Sequence, residues 1–358
     1  MKLVCVAYFH GSGGAEKQIT MLANSMSEKG HEVHMIILAE SINKFNLLDS
    51  VVIHDLTECE FKNGNKLINR FKAFKKELKS IRPDITINFW FQSAYFCSFL
   101  KKSITGKIIY SERGDPSDNE YSGILGVIRR LAFIRIDGFV FQTEGARDYF
   151  NMGIKNRSTI IHNPVVIQEK KFMHPCSTRD KNIITVGRLH KQKNQKLLIQ
   201  AFSKIADKIP EYRLDIYGDG ELEEELTNLI RNYKLENRIF LKGTVNNIMD
   251  YIYKSSLFVL TSNYEGLPNA LMEAISLGVP SISTDCSPGG ARTLLDKYNY
   301  GFLIPRNDVD VLAKKILEVL NKDINPEILN QDSSDFRNSH SPKIIFDKWE
   351  NFIYKIKL

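Results

Sequence analysis

The sequence has little cysteine. Its 358 residues include five cysteines, which are widely spaced and form no C-x-x-C pair. An odd number at such spacing does not indicate a disulfide framework, and the missing pair removes the common zinc-site patterns. We therefore expect a protein of a reducing compartment, the cytoplasm. The cysteines are Cys5, Cys59, Cys97, Cys176 and Cys286.

Long hydrophobic runs are also missing. No segment reaches the ~18 consecutive apolar residues of a membrane-spanning helix. The nearest approach, residues 85–100, is interrupted by Asn88 and Gln92 and predicts a buried strand that leads into a helix. The opening "MKLVCVAYFHG" ends in glycine after a short apolar run, unlike a secretory signal peptide. These observations favour a cytoplasmic protein.

Acidic residues are scarce in one segment of the first half. The net charge is +7, and residues 1–164 contribute +5 of it, with 22 Lys and Arg against 17 Asp and Glu. Residues 61–83 carry eight basic side chains and a single acidic one, Glu77, with apolar residues at helical spacing. This predicts a basic amphipathic helix with two open interpretations. It is a solvated outer helix, or it contacts anionic lipid at the inner face of the cytoplasmic membrane. Nucleic acid is not expected, because the aromatics lie on the apolar face.

Strands and helices alternate along the chain, and the alternation starts twice. Apolar strands such as "KLVCVAYF" and "HEVHMIIL" are separated by amphipathic helices in the first half, and "NIITVGRL" opens a second series. This pattern predicts two α/β domains, each a doubly wound parallel sheet. We place the first domain at residues 1–164, completed by a C-terminal helix at 343–358, and the second at 165–342. Ligands of such domains bind beyond the carboxyl ends of the strands, here in a central cleft between the domains.

The first strand is followed by the glycine-rich segment "GSGGAE". Gly11 and Gly13 fit a dinucleotide fingerprint, but Glu16 stands where its third glycine would permit close helix–strand packing. An NAD-dependent oxidoreductase, with Glu40 after the second strand, is therefore one alternative. The other is a loop that approaches a different diphosphate.

The second half carries two cations in one strand-to-helix loop. In "VGRLHKQKN", Arg188 follows a strand and Lys193 precedes the next helix. Cations beside a helix N-terminus form an anion site. The alternative is a pair of ordinary surface charges.

Two glutamates flank the start of a later helix. In "EGLPNALME", Glu265 and Glu273 are separated by seven residues; Glu265 follows a strand, and Asn269 begins a helix that carries Glu273 in its second turn. The free N–H groups of that helix can bind a ligand, and the carboxylates can accept hydrogen bonds from hydroxyl groups. The alternative is a capped helix with two solvated carboxylates.

Together these motifs resemble the retaining glycosyltransferases of family 4, which have the GT-B fold of two Rossmann-like domains. The resemblance rests on "GSGGAE", "VGRLHKQKN", "EGLPNALME" and "SISTDCSPGGARTLL", in this order over nearly the whole chain. It is closest to members that build bacterial lipopolysaccharide, capsule or protein-linked glycans. Leu267 replaces the usual phenylalanine of the glutamate motif, within a contact made mostly by backbone.

The resemblance implies a role for each motif. Gly13 and Gly14 would approach the donor diphosphate, which Arg188 and Lys193 would neutralise without a metal. Glu265 would hold the donor sugar and Glu273 the ribose. Residues 218–220 and 242–245, including Gly243 and Val245, would flank the base. The backbone that contacts the sugar and phosphate would be that of Gly266, Leu267, Pro268 and Asn269.

Arg113 is a further candidate. It stands in "YSERGDPSD", where many relatives have a histidine that touches the donor sugar. Its role is open.

The implied reaction is transfer of a hexose or N-acetylhexosamine from a nucleotide sugar, UDP-linked rather than GDP-linked, to a polysaccharide or undecaprenyl-linked acceptor. The nucleotide sugar is a substrate, so no cofactor is expected, and no metal. Asp308-x-Asp310 resembles the metal motif of another transferase fold, but it opens a helix, where aspartate is favoured as a cap. A sugar-nucleotide epimerase or phosphorylase on the same fold, and a carbohydrate-binding regulator, are further alternatives.

Overall fold

A computed structural model describes residues 1–8, 14–38, 47–57, 66–117, 123–167, 170–176 and 178–358. The chain forms two compact units. Unit 1 comprises Met1–Pro164 together with Pro342–Leu358, and unit 2 comprises Val165–Ser341.

Unit 1 is built on a seven-stranded sheet in which every paired strand is parallel, in the order β3-β2-β1-β4-β5-β6-β7. The strands are β1 Lys2–Ala7, β2 Glu32–Ile37, β3 Val52–Asp55, β4 Ile85–Asn88, β5 Lys107–Ser111, β6 Gly138–Phe141 and β7 Ser158–Ile160. Its helices are α1 Gly14–Glu28, α2 Lys66–Ile81, α3 Phe91–Ser98, α4 Lys102–Thr105, α5 Gly123–Ile134, α6 Glu144–Asp148, α7 Met152–Lys155 and α15 Pro342–Lys357.

The C-terminal helix α15 packs into the core of unit 1. The helix predicted at 343–358 is present, and its apolar residues Ile345, Trp349, Phe352 and Ile353 are all buried. Trp349 stacks on Phe89, with ring centroids 5.8 Å apart. At the edge of this interface, Lys29, which directly follows α1, pairs with Asp347 and with Glu350, 2.9 Å from the latter. Packing contributes the larger part of this attachment, because partly exposed ion pairs contribute little.

Unit 2 is built on a six-stranded sheet, again with every paired strand parallel, in the order β10-β9-β8-β11-β12-β13. The strands are β8 Asp180–Val186, β9 Arg213–Tyr217, β10 Ile239–Leu241, β11 Ser255–Leu260, β12 Ser281–Thr284 and β13 Gly301–Ile304. The helices are α8 Gln195–Ile205, α9 Glu223–Asn232, α10 Ile248–Lys254, α11 Asn269–Ser276, α12 Gly290–Leu295, α13 Val309–Leu320 and α14 Pro326–Ser339, and short 3₁₀ turns span Lys170–Met173 and Ala206–Lys208.

This topology brings the predicted motifs of unit 2 to one edge of its sheet. Strands β8, β11 and β12 are neighbours at the centre of the sheet. Because parallel strands end at the same edge, the loops that follow these three strands lie side by side. They are the loops that carry Lys193, Glu265 and Gly290.

Two expectations about individual helices can be compared with the structure. The basic helix expected at 61–83 is present as α2, and residues 61–65 lie outside the described part. Asp308 caps α13, since its side chain accepts a hydrogen bond from Val311 N at 2.9 Å, and Asp310 pairs with Lys204. The capping interpretation of Asp308 is therefore confirmed. Helix α14 was not predicted.

In the part of the chain that the structure describes, no helix has both the length and the apolar character needed to cross a bilayer.

Candidate functional site

The loops after β8 and β11 are joined by hydrogen bonds. Thr261 Oγ1 donates to the carbonyl of Lys193 at 3.1 Å and to that of Asn194 at 3.0 Å. Asn263 N donates to Gln192 O at 2.7 Å, and Gln192 Nε2 donates to Tyr264 O at 3.0 Å. The two loops therefore act as one rigid unit, although about 70 residues of sequence separate them.

This junction brings Lys193 and Glu265 into contact. The ammonium group of Lys193 donates to Glu265 Oε1, and Ser262 Oγ donates to the same oxygen at 2.7 Å. The Lys193 side chain is 19% exposed and that of Glu265 is 9% exposed. The alternative of two solvated carboxylates is therefore wrong for Glu265. A lysine ammonium has three donors, so this pair leaves further donor capacity on Nζ.

The path of the Lys193 side chain depends on Gly187. A Cβ atom added at Gly187 would lie 3.1–3.4 Å from three methylene carbons of Lys193. The lysine stem therefore lies directly on the glycine backbone, which directs Nζ toward Glu265. The Lys193 ammonium is thus positioned from two sides, by packing along the stem and by the carboxylate at its end.

The segment from Gly266 to Pro268 connects Glu265 to α11. Leu267 is buried and Pro268 occupies the N-cap position, where no side chain caps the helix. Asn269 is the first residue of α11, and Glu273, which is half-buried, lies one turn further on. The Glu273 carbonyl accepts a hydrogen bond from Ser276 Oγ at 2.7 Å. Glu265 and the N-terminus of α11 therefore border the same edge of the sheet.

Gly290, at the start of α12, packs closely against this segment. A Cβ atom at this position would lie 1.8 Å from Gly266 O and 3.1 Å from Pro268 Cδ. Only glycine allows α12 to approach the Gly266 carbonyl so closely. The sequence analysis did not assign Gly290 a role, although the "SPGG" segment contained the signal.

Cys286 lies beside the same carboxylate. Burial, and to a lesser extent the negative charge of Glu265, raise the pKa of the Cys286 thiol to about 12. A thiol with this pKa is neutral at physiological pH, so Cys286 adds no charge to the site.

The remaining predicted residues of unit 2 lie on the loops after β8, β9 and β10. Arg188 is exposed, and its carbonyl accepts a hydrogen bond from Gln195 Nε2 at 2.8 Å. Gly218 N donates to Gly243 O at 2.9 Å, and a Cβ at Gly218 would lie 2.1 Å from Gly187 O. Val245 packs against the apolar cluster around α10 and α11. The three loops are therefore in mutual contact.

In unit 1, Gly13 lies outside the described residues, and Gly14 is an exposed residue at the start of α1. Arg113 stacks on Phe89, with its guanidinium carbon 3.8 Å from the ring centroid, and its NH1 donates to Asn163 Oδ1 at 2.7 Å. Burial lowers the pKa of Arg113 to about 9, although the neighbouring Glu112 opposes this shift. Its buried Nε has no hydrogen-bond partner among the described residues.

Two neighbours of Arg113 were missed by the sequence analysis. Asn163 also accepts from Gln142 Nε2 at 2.7 Å, so its oxygen bridges two side chains. Glu112 forms a buried ion pair with Arg129 at 2.7 Å and accepts from Tyr110 Oη at 3.0 Å. These contacts fix the backbone on either side of Arg113.

Over the described ranges, no three His, Cys, Asp or Glu side chains are grouped so that they could hold a metal ion.

Two protein-family models match the chain. A family model described as "Glycosyl transferases group 1" matches residues 166–335, and one described as "Glycosyltransferase Family 4" matches residues 12–169. Together the two models span residues 12–335. The chain belongs to the group 1 glycosyltransferases with a family 4 N-terminal domain, as the motifs suggested.

Individual relatives agree with this assignment. An uncharacterised glycosyltransferase of Haemophilus influenzae is 25% identical over 96% of both chains. A Campylobacter jejuni enzyme is 27% identical over 100% of this chain and 99% of its own. It is named GalNAc-alpha-(1->4)-GalNAc-alpha-(1->3)-diNAcBac-PP-undecaprenol alpha-1,4-N-acetyl-D-galactosaminyltransferase. The chain is therefore a transferase, and the oxidoreductase alternative is set aside.

Solved structures show the same fold. Anabaena HepE in complex with UDP and glucose superposes with a TM-score of 0.83 at 17% identity, covering 99% of this chain and all of the other. Staphylococcus aureus TarM superposes with a TM-score of 0.77 at 15% identity over 99% of this chain and all of the other. The predicted GT-B fold class is thereby confirmed.

Proposed function

We propose that this chain is a retaining glycosyltransferase that moves a hexose or N-acetylhexosamine from a UDP-sugar to a lipid-linked or polysaccharide acceptor in bacterial surface-glycan synthesis. The observation that carries the proposal is the junction of Lys193, Glu265 and the α11 N-terminus at one sheet edge. The undecaprenol in the name of the Campylobacter relative supports the acceptor class. The UDP bound to HepE supports the donor class.

In this proposal, the chemistry requires stabilisation of a leaving diphosphate. The bond between the anomeric carbon and the phosphate oxygen breaks, and negative charge develops on the diphosphate. Arg188, Lys193 and the N-terminal end of the α11 helix dipole supply positive potential for that charge. Glu265 accepts hydrogen bonds from the sugar hydroxyls, and Glu273 from the ribose. The acceptor hydroxyl attacks from the leaving-group side and loses its proton to the leaving phosphate oxygen, so the anomeric configuration is retained. No cofactor or metal takes part.

The donor class can be tested by thermal shift without added metal, using UDP-, GDP- and ADP-sugars with NAD and NADP. We expect UDP and one UDP-sugar to stabilise the protein, by ~2.7 kcal/mol at a ligand concentration of about 100 Kd. Glu273→Ala removes the proposed ribose contact and should abolish most of that shift. Glu224→Ala, on the exposed side of α9, is the matched control and should preserve the shift.

Stabilisation by NAD or GDP-sugars instead of UDP would contradict the proposed donor. With the donor identified, the anomeric configuration of the product, read from its NMR coupling constants, distinguishes retention from inversion.

We also propose that unit 1 contacts the membrane that carries the acceptor, and that α5 provides the contact. Four apolar residues of α5 recur at spacings of three and four and therefore lie on one helix face. This face points to solvent: Ile124 is 80% exposed and Ile134 is 71% exposed, with Val127 and Leu131 between them. A helix whose outer face is apolar fits a lipid surface better than water.

The positive charge next to the exposed apolar face of α5 supports a lipid surface as its partner. Arg130 and Arg135 are exposed beside this face, and no acidic residue occurs between positions 123 and 136. The basic helix α2, by contrast, buries its apolar residues Phe74 and Leu78 in the core of unit 1. Helix α2 therefore presents mainly its charged side, with Ile68 as an exposed apolar residue, whereas α5 exposes a whole apolar face flanked by cationic groups.

The double substitution Ile124→Ser and Leu131→Ser should weaken binding to phosphatidylglycerol-containing vesicles at least about tenfold, because each exposed side chain would otherwise bury apolar area worth ~1.5–3 kcal/mol. The melting temperature should not change, since both side chains are exposed. Ile328→Ser, an exposed isoleucine of α14, is the control. Equal vesicle binding by the double variant and the control, measured by co-sedimentation, would refute the assignment to α5.

A further inference from the structure

A cavity lies on the face of the unit 2 sheet, between β9 and α10. It has a volume of about 390 Å³ and extends from the start of β9, at Arg213, to Lys242 just after β10. Small-molecule sites begin at ~300 Å³, so the cavity can hold one or two sugar-sized groups. None of Arg188, Lys193, Glu265 and Glu273 lines it.

A buried carboxylate points into this cavity. Asp215 of β9 is 1% exposed, and its Oδ2 accepts hydrogen bonds from Asn182 Nδ2 at 3.0 Å and from Arg213 Nε at 2.9 Å. Its Oδ1 accepts no hydrogen bond from any residue that the structure describes; Lys242 Nζ is 3.8 Å away. An acceptor that is buried without a hydrogen-bond donor destabilises the folded state. A ligand hydroxyl that donates to Oδ1 would recover that free energy.

The charged side chains that line the cavity indicate which class of ligand fits it. Three carboxylates face it, those of Asp180, Asp215 and Asp250, together with three cationic side chains, those of Arg213, Lys242 and Lys254. The lining is therefore neutral overall, which favours neither a phosphate nor a cation. It offers both acceptors and donors, as the hydroxyl groups of a neutral sugar require.

Two tyrosines complete the wall. The rings of Tyr217 and Tyr251 are 5.0 Å apart, and Tyr251 is 45% exposed. Burial raises the pKa of Tyr217 to about 12, with the Asp215 charge adding to the shift, so its phenol is neutral at physiological pH. Aromatic faces pack against the C–H surfaces of a ligand while their hydroxyl groups bind polar atoms.

We infer that this cavity, lined by Asp215, Tyr217 and Tyr251, binds a neutral sugar residue of a glycan at a second carbohydrate site, which borders the loop after β10 at Lys242. The inference does not depend on the transfer reaction, because its residues belong to β9 and α10. Binding of one segment of a glycan here would raise the effective concentration of the rest of that glycan at the enzyme.

The test is saturation-transfer NMR with the methyl glycosides of glucose, galactose and N-acetylgalactosamine, first without UDP and then in the presence of saturating UDP. At least one glycoside should receive saturation from the full-length protein. Tyr251→Ala should weaken that binding about tenfold, which corresponds to one lost aromatic contact of ~1.4 kcal/mol. Tyr233→Ala, a 40% exposed tyrosine after α9, is the control and should bind normally. Asp215→Asn, which keeps the side-chain shape, should also weaken binding.

Three outcomes would overturn the inference. The first is the absence of a saturation-transfer signal from every glycoside. The second is a signal that is lost when UDP is added. The third is equal binding by Tyr251→Ala and Tyr233→Ala. Because Tyr251 is largely exposed, its substitution tests the site even if Asp215→Asn fails to fold. Failure of UDP to bind at all would count against the proposed transferase donor but not against this site.

Discussion

Replacing Lys193 by alanine should lower kcat/KM about 10²–10³-fold, the usual cost of removing one positioned group that stabilises developing charge. Lys193 approaches the α11 N-terminus from the neighbouring loop, and the Gly187 backbone fixes its stem. The loss should fall on kcat as well as on KM, because the charge on the leaving diphosphate is greatest in the transition state. Steady-state kinetics with the donor found by thermal shift measures both. Lys191→Ala, an exposed lysine two residues earlier, is the matched control.

The same substitution also leaves Glu265 without its cation. Breaking such a pair costs roughly 3 kcal/mol, at the low end for buried pairs because the Lys193 side chain is 19% exposed. Stability and catalysis can be separated with the double variant Lys193→Met and Glu265→Gln, which removes both charges. It should recover most of the lost melting temperature but none of the activity. Recovery of activity along with stability would show that Lys193 acts only by supporting the fold, and a single-variant loss below tenfold would remove it from the site.

Much of the fold could be predicted from the sequence because its signals are local. The boundaries of the buried strands follow from runs such as "NIITVGRL", and the start of α11 at Asn269 follows from the preceding proline. Parallel strands then place Arg188, Lys193 and Glu265 at one edge without knowledge of any contact. The family motifs are also local in the sequence, so they could be recognised in their order along the chain.

The contacts that build the site could not be predicted, because they join segments far apart in the chain. Nothing in the sequence indicates that Ser262 and Lys193 donate to the same oxygen of Glu265, or that Thr261 binds the carbonyls of the Lys193 loop. Asn163 likewise reaches Arg113 across 50 residues. Such pairings depend on side-chain rotamers and loop geometry, which propensity and periodicity do not determine.

Helix α5 illustrates a different limit. Apolar residues at spacings of three and four predict a helix with its apolar face inward. In α5 the inward face carries Ala132 and Phe133 together with the buried Arg129, and the second apolar face, with Ile124 and Ile134, points to solvent. Periodicity predicts that the segment is a helix but not which of its faces is buried. The buried face depends on the elements that pack against the helix in the tertiary structure. A membrane contact of residues 61–83 was one of two open interpretations, and it rested on the basic charge of that segment rather than on the burial of a helix face.

The other large effect is expected from Gly290→Ala. The added methyl carbon would lie 1.8 Å from Gly266 O, a backbone atom that cannot rotate away. Either α12 or the segment from Gly266 to Pro268 must shift by more than 1 Å, because nonbonded carbon and oxygen atoms do not approach below about 3 Å. We expect a loss of about 3 kcal/mol in the free energy of unfolding, the upper end for overpacking. A displacement of this size at a catalytic loop costs ~10²-fold in kcat/KM.

The control for this substitution is the same chemical change where space is available. At Gly114 the nearest heavy atom to an added Cβ is a side-chain oxygen 3.9 Å away, so Gly114→Ala should not lower the melting temperature. If Gly290→Ala melts like the wild type and binds UDP normally, α12 does not support the Glu265 loop. If it loses UDP binding while its melting temperature falls by only a few degrees, the shift is confined to the loop. Gly290 would then be a positioning residue for Glu265 and the α11 N-terminus, acting through the Gly266 carbonyl.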